Sequence, residues 1–570
     1  MAVEKLIVDH IDTWTTALQT RSTAGRGSSG KIDLYGIKKL RELILELAVR
    51  GKLVPQDPND EPASELLKRI AAEKAELVKQ GKIKKSKPLP EISEEEKPFE
   101  LPAGWEWTRF GNIFKVSSGD ALTSNQMNTL GEYPVYGGNG INGYHDSYNV
   151  AKRTLVIGRV GYYCGSIHIT PNHAWVTDNA FITHFSESNF DLDYVEILLK
   201  ATNLKEDESA TAQPVISGRK IYPIILAVPP LEEQRKIAKK TYELLGLCTN
   251  LEQHSLTSLD AHQQLVETLL TTLIDSQNAD ELAENWARIS EHFDTLFTTE
   301  ASIDALKQTI LQLAVMGKLV PQDPNDEPAS ELLKRIAQEK AQLVKDGKIK
   351  KQKPLPPISD EEKPFDLPSG WVWCRLGELA LKSEAGWSPQ CENTPRSGEQ
   401  WGVLKISAVT WGEYQPEENK ALPAHLSPRE EYEVKENDFL ISRANTAELV
   451  ARSVVVPENT PNNLMLSDKI IRFEFSSFVS AHYISIVNNS LFSREYYKEV
   501  AGGTSSSMKN VSRNQVSELI IGLPGYNEQL KIVENITKYI QICEALTSKI
   551  QSAQQTQLHL ADALTDAAIN

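Results

Sequence analysis

Two stretches of this chain carry side chains suited to reading hydrogen-bonding edges. YPVYGGNGINGYHD (residues 133–146) holds Tyr136, Asn139, Asn142, Tyr144 and His145, and LVIGRVGYYCG (155–165) holds Arg159. Asparagine sets a donor beside an acceptor, which matches an adenine edge; the arginine fork matches guanine or a phosphate. QPVISGRK (213–220) adds Ser217, Arg219 and Lys220 as candidate phosphate ligands. A second set lies far downstream: Lys405 and Ser407 in LKISAV, Arg443 and Asn445 in ISRANT, and Lys509, Asn510 and Arg513 in SSSMKNVSRNQ. Ser217 and Ser512 align at an offset of 295, so Arg219–Lys220 and Arg513 occupy comparable places. Half or more of the hydrogen bonds to a nucleic acid go to its backbone, so each of these residues either positions or specifies.

GGNGING is glycine-rich but leads into no periodic helix, which argues against a phosphate-cradling nucleotide loop. Two readings of it stand: a hairpin loop needing positive φ, or a backbone that approaches a ligand closely. Bond-breaking chemistry finds no home. There is no P-loop, no G-x-S-x-G, no H-E-x-x-H, no N-P-P-[YF] and no paired Cys/His spacing. Cys164, Cys248, Cys374, Cys391 and Cys543 are widely spaced and odd in number, which reads as reduced thiols in a cytosolic chain. No apolar run approaches a membrane span, and MAVEKLIVDHIDTW lacks the apolar core of a secretory signal. The net charge of −16 counts against nucleic-acid binding unless the cations are local or a partner supplies phosphate contacts.

What must position these residues is a duplicated frame. GKLVPQDPNDEPASELLKRI…KPFELPAGW (51–105) returns as GKLVPQDPNDEPASELLKRI…KPFDLPSGW (317–371), with 47 of 55 positions identical at an offset of 266. That period is too long for a solenoid, so one large unit has been duplicated. Upstream, Ile37, Leu40, Ile44 and Leu47 are matched by Ile303, Leu306, Ile310 and Leu313, one face of a helix in each copy. Downstream, LAVPPLEEQRKIAKK (226–240) resembles IGLPGYNEQLKIVEN (521–535) at the larger offset of 295. The growth of 29 residues therefore lies between Trp371 and Pro524, and the middles differ almost wholly in sequence. A shared frame carries two different inserts.

In order along the chain, the pattern predicts a helix over 1–21, a flexible Gly/Ser loop over 22–30, and a core helix over 32–49. Another helix opens at Ala63 and ends near Gly81. Lys82, Lys84, Lys85 and Lys87 follow, and Lys348, Lys350, Lys351 and Lys353 repeat them; phosphate contact and solvated linker both fit, since acids come next. The inserts read as short strands. Residues 231–274 and 530–567 read as long helices, with heptad seams through Thr241, Leu244, Cys248, Leu251, Ser255, Ser258, His262, Leu265 and Leu269, and through Ile536, Tyr539, Cys543, Leu546, Ile550, Ala553, Gln557, Leu560 and Leu564. Each needs a helical partner, and the helices near Ile32 and Ile303 are available; His262 reads as a packed polar residue.

Two inserts, each introduced by L-P-x-G-W and left through [VL]-P-x-x-x-E-Q into a long helix, resemble the specificity subunit of type I restriction–modification enzymes (the HsdS family). YPVYGGNGINGYHD, VIGRVGYYCGSIH and VTDNAF are similar to its target-recognition domains, and the resemblance spans essentially the whole chain. It implies an α+β fold: two globular mixed α/β target-recognition domains, joined and separated by two long antiparallel, coiled-coil-like helical regions, with a pseudo-twofold internal repeat. The implied boundaries are 1–104 for the N-terminal arm and repeat block, 105–229 for the first recognition domain, 230–370 for the central region, 371–524 for the second recognition domain and 525–570 for the last helix.

The family resemblance also implies a non-catalytic, cytoplasmic subunit of a bacterial or archaeal complex. Each domain would read one half of an asymmetric, interrupted double-stranded DNA site in the major groove, and the helices would set the gap. Two modification subunits would bring S-adenosylmethionine and adenine-N6 methylation, and two restriction subunits would bring ATP, Mg and translocation; this chain itself would bind no cofactor and no metal. Heads about 34 Å apart, one helical turn, would share one DNA face. The alternative is a two-headed scaffold whose inserts bind protein or glycan. Salt-dependent, sequence-specific DNA binding separates the two.

Overall fold

The computed structural model describes residues 3–21, 31–84, 87–128, 130–205, 215–505 and 508–569. The Gly/Ser loop expected over 22–30 and Lys85 lie outside the described residues. The chain forms two compact units, one of residues 1–23, 30–258 and 553–570, the other of 24–29 and 259–552.

In the first unit the N-terminal arm is not the single helix expected. It makes helices Val3–Asp9 and Ile11–Thr16, then strand Gln19–Arg21. That strand pairs antiparallel with Lys31–Asp33, so the core helix starts later than expected, at Tyr35, and ends at Val49. Tertiary pairing wins over helical periodicity here. Gly36 lies so close to the arm that a Cβ would meet the Trp14 carbonyl oxygen at 2.4 Å, and Trp14 is fully buried. Helix Tyr35–Val49 packs on helix Leu192–Ala201 of the first insert. It also reaches the long helix that opens at Leu231: Arg41 donates to Thr249 Oγ1 at 2.9 Å and pairs with Glu252 at 3.0 Å. Tyr35 donates to Asp562 at 2.7 Å, and Lys52 caps the last helix through the carbonyl of Ile569.

The second unit has the same plan. Helix Glu300–Val315 contacts insert helix Ala481–Asn489. Its Ile303, Leu306 and Ile310 share a core with Val266, Leu270 and Leu273 from the end of helix Leu231–Asp275 and with Cys543 of helix Tyr526–Ile569. Lys318, the repeat of Lys52, caps the C-terminus of Leu231–Asp275 through the carbonyls of Ile274 (2.6 Å) and Ser276 (2.9 Å). A cation at a helix C-terminus meets unsatisfied carbonyls and the negative end of the helix dipole. His262 bonds the Thr295 carbonyl at 3.1 Å, the packed polar role expected.

Both long helices form, but the heptad register does not hold along them. Leu265 and Leu560 are 51% and 43% exposed, whereas Val266, Leu270, Leu273, Ala561 and Thr565 are buried. The inward stripe steps 255, 266 and 550, 561, an 11-residue advance. That is the period of a nearly straight helix, whose faces drift from a strict seven-residue repeat.

The two inserts, unlike in sequence, share a topology. The first has a four-stranded sheet in the order Lys115–Ser118, Ala180–His184, Leu155–Gly158, Ile167–Ile169. The second has Ala380–Ala385, Ile470–Phe475, Phe439–Ser442, Ser453–Val455. Each adds a three-stranded sheet with one parallel pair: Tyr133–Gly137 beside Trp175–Val176, and Gly402–Leu404 beside Leu464–Met465. Gly119 and Gly386 mark the same place in each, where the backbone crosses so closely that a Cβ would lie 2.2 Å from the Val176 carbonyl oxygen or 1.9 Å from that of Leu466. No helix among the described residues is long and apolar enough to cross a membrane.

Candidate nucleic-acid interface

Each insert is closed at its base by its two ends. Incoming strand Glu106–Arg109 pairs antiparallel with outgoing strand Ile225–Val228, and Val372–Arg375 pairs with Ile520–Leu523. Behind each pair lies the same buried clamp. Trp105 Nε1 donates to Glu233 Oε2 at 3.0 Å and Gln56 Nε2 to Glu233 Oε1 at 3.2 Å; Trp371, Gln322 and Glu528 repeat both bonds at the same lengths. Burial pushes the Glu233 and Glu528 carboxyls above the ordinary glutamate range, and the two donors pull them back. Arg109 is buried against the carbonyls of Pro90 and Pro223 and pairs with Glu96 at 2.9 Å; Arg375 does the same with Pro356, Glu518 and Glu362. From the insert side, Tyr194 Oη donates to the Ala227 carbonyl at 3.3 Å and Tyr483 Oη to that of Gly522 at 2.5 Å. Tyrosines, frame and base strands thus make one rigid footing for whatever the far end reads.

At the far end of the first insert, strands Tyr133–Gly137 and Gly140–His145 form a hairpin, with φ +84° at Gly140. GGNGING is therefore the tight hairpin its glycines suggested. Its tip meets the turn after Leu155–Gly158. Ser166 Oγ donates to the Gly138 carbonyl at 2.9 Å, and a hollow of about 300 Å³ is lined by Asn139, Asn142, Tyr162, Tyr163 and Asn179. Arg159 immediately precedes Val160 and Gly161, which also line the hollow. Its backbone is pinned by Asn179 O (2.9 Å) and by Ile216 N (2.9 Å); its guanidinium lies 5.3 Å from the Phe181 ring centre, with Nη1 3.4 Å from the Asp178 carbonyl. The Nε is buried without a partner among the described residues. Tyr144 is 40% exposed, and His145 is held by the Gln126 carbonyl at 3.1 Å and edge-on to Trp175. Tyr136 points inward instead: it is 7% exposed, packed with Val150, Val156 and Val176, and so supports the hairpin rather than reading from it. Its strand is the middle one of the three-stranded sheet, and Val135, Tyr136 and Gly137 are all buried there, whereas Tyr144 and His145 lie on the edge strand.

The second insert places its candidates at equivalent positions. Arg443 follows Phe439–Ser442 as Arg159 follows Leu155–Gly158; its amide donates to Lys469 O (2.8 Å) and its carbonyl accepts from Val511 N (2.9 Å). Strand Ala444–Asn445 pairs with Met508–Asn510, setting Asn445 opposite Lys509 and Ala444 opposite Asn510. Residues 64 and 66 positions apart in sequence thus share one small sheet. Asn445 Nδ2 donates to Thr410 Oγ1 at 3.2 Å, tying this sheet to the segment carrying Lys405 and Ser407. Those two are engaged with Glu418, Lys405 at 3.2 Å and Ser407 at 2.5 Å, which neutralises the lysine locally. Lys509 Nζ donates to the Gly503 carbonyl and Arg513 Nη1 to that of Ser383. Ser217 and Ser512 both precede short helices, Gly218–Ile221 and Arg513–Glu518; Arg219 is exposed and Lys220 has its own contacts.

Tyr162 (80% exposed), Tyr163 (54%) and Asn179 line the same hollow, and Trp411 (63%) follows Thr410; none of them was among the candidates expected from sequence. Large aromatics left in solvent next to glycine turns, as in VGYYCG and TWGEY, were the available signal. The five cysteines are free thiols, and no cluster that could hold a metal occurs among the described residues.

Residues 102–261 match the family described as Type I restriction modification DNA specificity domain. Over its full length the chain is 54% identical to the specificity subunit of the type I restriction enzyme EcoEI and 51% identical to that of EcoAI, both from Escherichia coli and both covered completely. Among solved structures it is similar to the HsdS subunit of Thermoanaerobacter tengcongensis, at 16% identity and a TM-score of 0.37, over 83% of this chain and 98% of that one.

Proposed function

The chain belongs to the family of type I restriction enzyme specificity subunits, and we propose that its two inserts read two different halves of one interrupted DNA site. It is the non-catalytic DNA-specificity subunit of a type I restriction–modification system. The observation that carries the two-half reading is the pairing of Arg159 with Arg443. Both follow the same strand of the same sheet order and are pinned by the same two backbone bonds, yet the chain that follows differs: Val160, Gly161 and Tyr162 line a hollow with Asn139 and Asn142, whereas Ala444 and Asn445 pair with Asn510 and Lys509. Equal footings with unequal surfaces suit unequal half-sites. The recognition domains are 105–229 and 371–524, bounds supported by the paired base strands.

In the complex, two modification subunits dock on the duplicated frame and supply S-adenosylmethionine and adenine methylation. Two restriction subunits supply ATP-driven translocation and cleavage, and the assembly works in the cytoplasm of a bacterium or archaeon. The duplicated frame supports a twofold stoichiometry, because matched surfaces offer matched sites. The test is an adenine-methylation map of a methylation-free host expressing this chain with its modification subunit. A split, asymmetric motif that needs this chain is the expected result. No new motif, with the complex assembled and cofactor present, overturns the reading.

A further inference from the structure

A groove of about 1330 Å³ runs between helix Ala63–Lys79, the lysine segment after it and the base of the first insert. Lys74, Lys84, Lys87, Lys115 and Arg219 line it, and no carboxylate does among the described residues. None of the five makes an ion pair among the described residues, although the chain as a whole carries −16. Lys74 is half-buried and donates to the Gly111 carbonyl at 3.1 Å; burial and the nearby Lys115 hold it below the ordinary lysine range. So many uncompensated cations around one concavity call for an anion.

Position says which one. Lys115 opens strand Lys115–Ser118, whose far end pairs with Phe181, beside the turn of Arg159 and Asn179. Four strand residues span about 10–14 Å. Arg219 lies three residues beyond Ile216, whose amide bonds the Arg159 carbonyl. The groove is therefore tethered on both sides to the reading turn.

We propose that this groove holds the DNA backbone flanking the half-site read by the first insert, and that the second copy has no such groove. The proposal rests on the specificity reading and adds a sequence-independent grip to one side of it. In the second copy Lys340, Lys350 and Lys353 are retained, but Leu381 stands for Lys115, Asn514 for Arg219 and Glu378 for Asn112. There Gln352 fills the space, accepting from Lys340 Nζ at 3.0 Å and donating to the carbonyls of Ala380 and Leu381. Arg513, one residue before Asn514, turns to the Ser383 carbonyl.

The experiment compares complexes of the modification subunit with wild type, with Lys84→Gln/Lys87→Gln/Lys115→Gln, and with the second-copy pair Lys350→Gln/Lys353→Gln. All five sites are solvent-facing in the first copy's triple or its repeat, so folding is not at issue. Binding to a duplex bearing the methylated motif is measured against salt. Each lost phosphate contact lowers the log–log slope by about 0.9, so the triple variant should flatten it by about two to three and weaken binding at least tenfold, with the methylated motif unchanged. The second-copy pair should leave the slope alone. An unchanged slope in the triple variant overturns the proposal. So does an unchanged slope with loss of the modification subunit, which would assign the groove to an acidic protein segment. A wild-type complex with no preference for its own motif would instead overturn the specificity reading, and this proposal with it.

Discussion

Replacing Trp105 by phenylalanine removes one of the two side-chain hydrogen bonds that a buried carboxylate accepts among the described residues. Glu233 is 1% exposed and is met by Trp105 Nε1 at 3.0 Å and Gln56 Nε2 at 3.2 Å. Gln56 cannot compensate, because its amide is already committed to the carbonyls of Gly51 and Val54. A hydrogen bond to a charged group contributes about 1.5–3 kcal/mol, and losing it strands a buried oxygen. That should raise local opening of the Ile225–Val228 strand about 10- to 150-fold, readable as faster amide exchange in the assembled complex. The effect has a pH signature. Burial raises the folded carboxyl above its unfolded value and Trp105 opposes that rise, so Trp105→Phe raises it further. A carboxyl raised on folding takes up a proton, so stability falls as pH climbs from the unfolded value through the folded one. The variant's deficit should therefore vanish in acid and reach its full size above the folded value. Trp371→Phe should do the same at Ile520–Leu523 and nowhere else. Equal losses of protection at both base strands from either single change, or none at either, would refute the clamp argument.

Three more outcomes follow from the geometry. Arg159→Ala should relax one half of the methylated motif and Arg443→Ala the other, each by about 1–3 kcal/mol of discrimination if the fork reads a base; an unchanged map at full activity removes that arginine from the readers. Gly386→Ala, whose Cβ would lie 1.9 Å from the Leu466 carbonyl oxygen, should cost about 1–3 kcal/mol of stability and lower the melting temperature, while methylation maps show loss at the second insert's half-site. Tyr162→Ala with Tyr163→Ala should leave thermal stability within about 0.5 kcal/mol, since both rings are solvent-facing, yet weaken binding of the cognate duplex more than tenfold in a titration at fixed salt.

The frame was legible because duplication repeats its physics. Ile37, Leu40, Ile44 and Leu47 predict a buried face in both copies, and the structure buries it in both. The unity of the inserts was not legible. Their shared topology rests on backbone pairing and on two close crossings, at Gly119 and Gly386, which leave only S-S-G and S-E-A-G as traces among unrelated side chains. Reader positions were half legible. Type and spacing picked out Asn142, which lines the hollow at the hairpin tip, and Arg159, Arg443 and Asn445, which stand at matching turns, but periodicity could not say that Tyr136 faces inward or that Glu418 sits across from Lys405. The arm over residues 3–21 misled for a related reason: its apolar spacing fits a helix, and only the distant Lys31–Asp33 strand ends it.

The acidic balance, the strongest argument in the sequence against DNA binding, dissolves when charge is followed residue by residue. The 77 acids outnumber 61 basic residues, but many carboxylates are spent on helix faces and caps: Glu65 with Lys68, Glu232 with Arg235, Glu331 with Lys334, and Asp326 and Asp60 with the long-helix lysines. Such pairs cancel locally and cast little field beyond about 8–10 Å at physiological salt. A phosphate responds to what lies within that distance. The cations of the first groove stand apart from these pairs, whereas in the second copy Gln352 links Lys340 to the Ala380 and Leu381 carbonyls and Glu378 accepts from the Arg375 amide. Net charge thus describes the whole surface, while the salt slope of binding counts the few cations that face DNA. An acidic chain with a slope of several contacts is the combination these two facts demand.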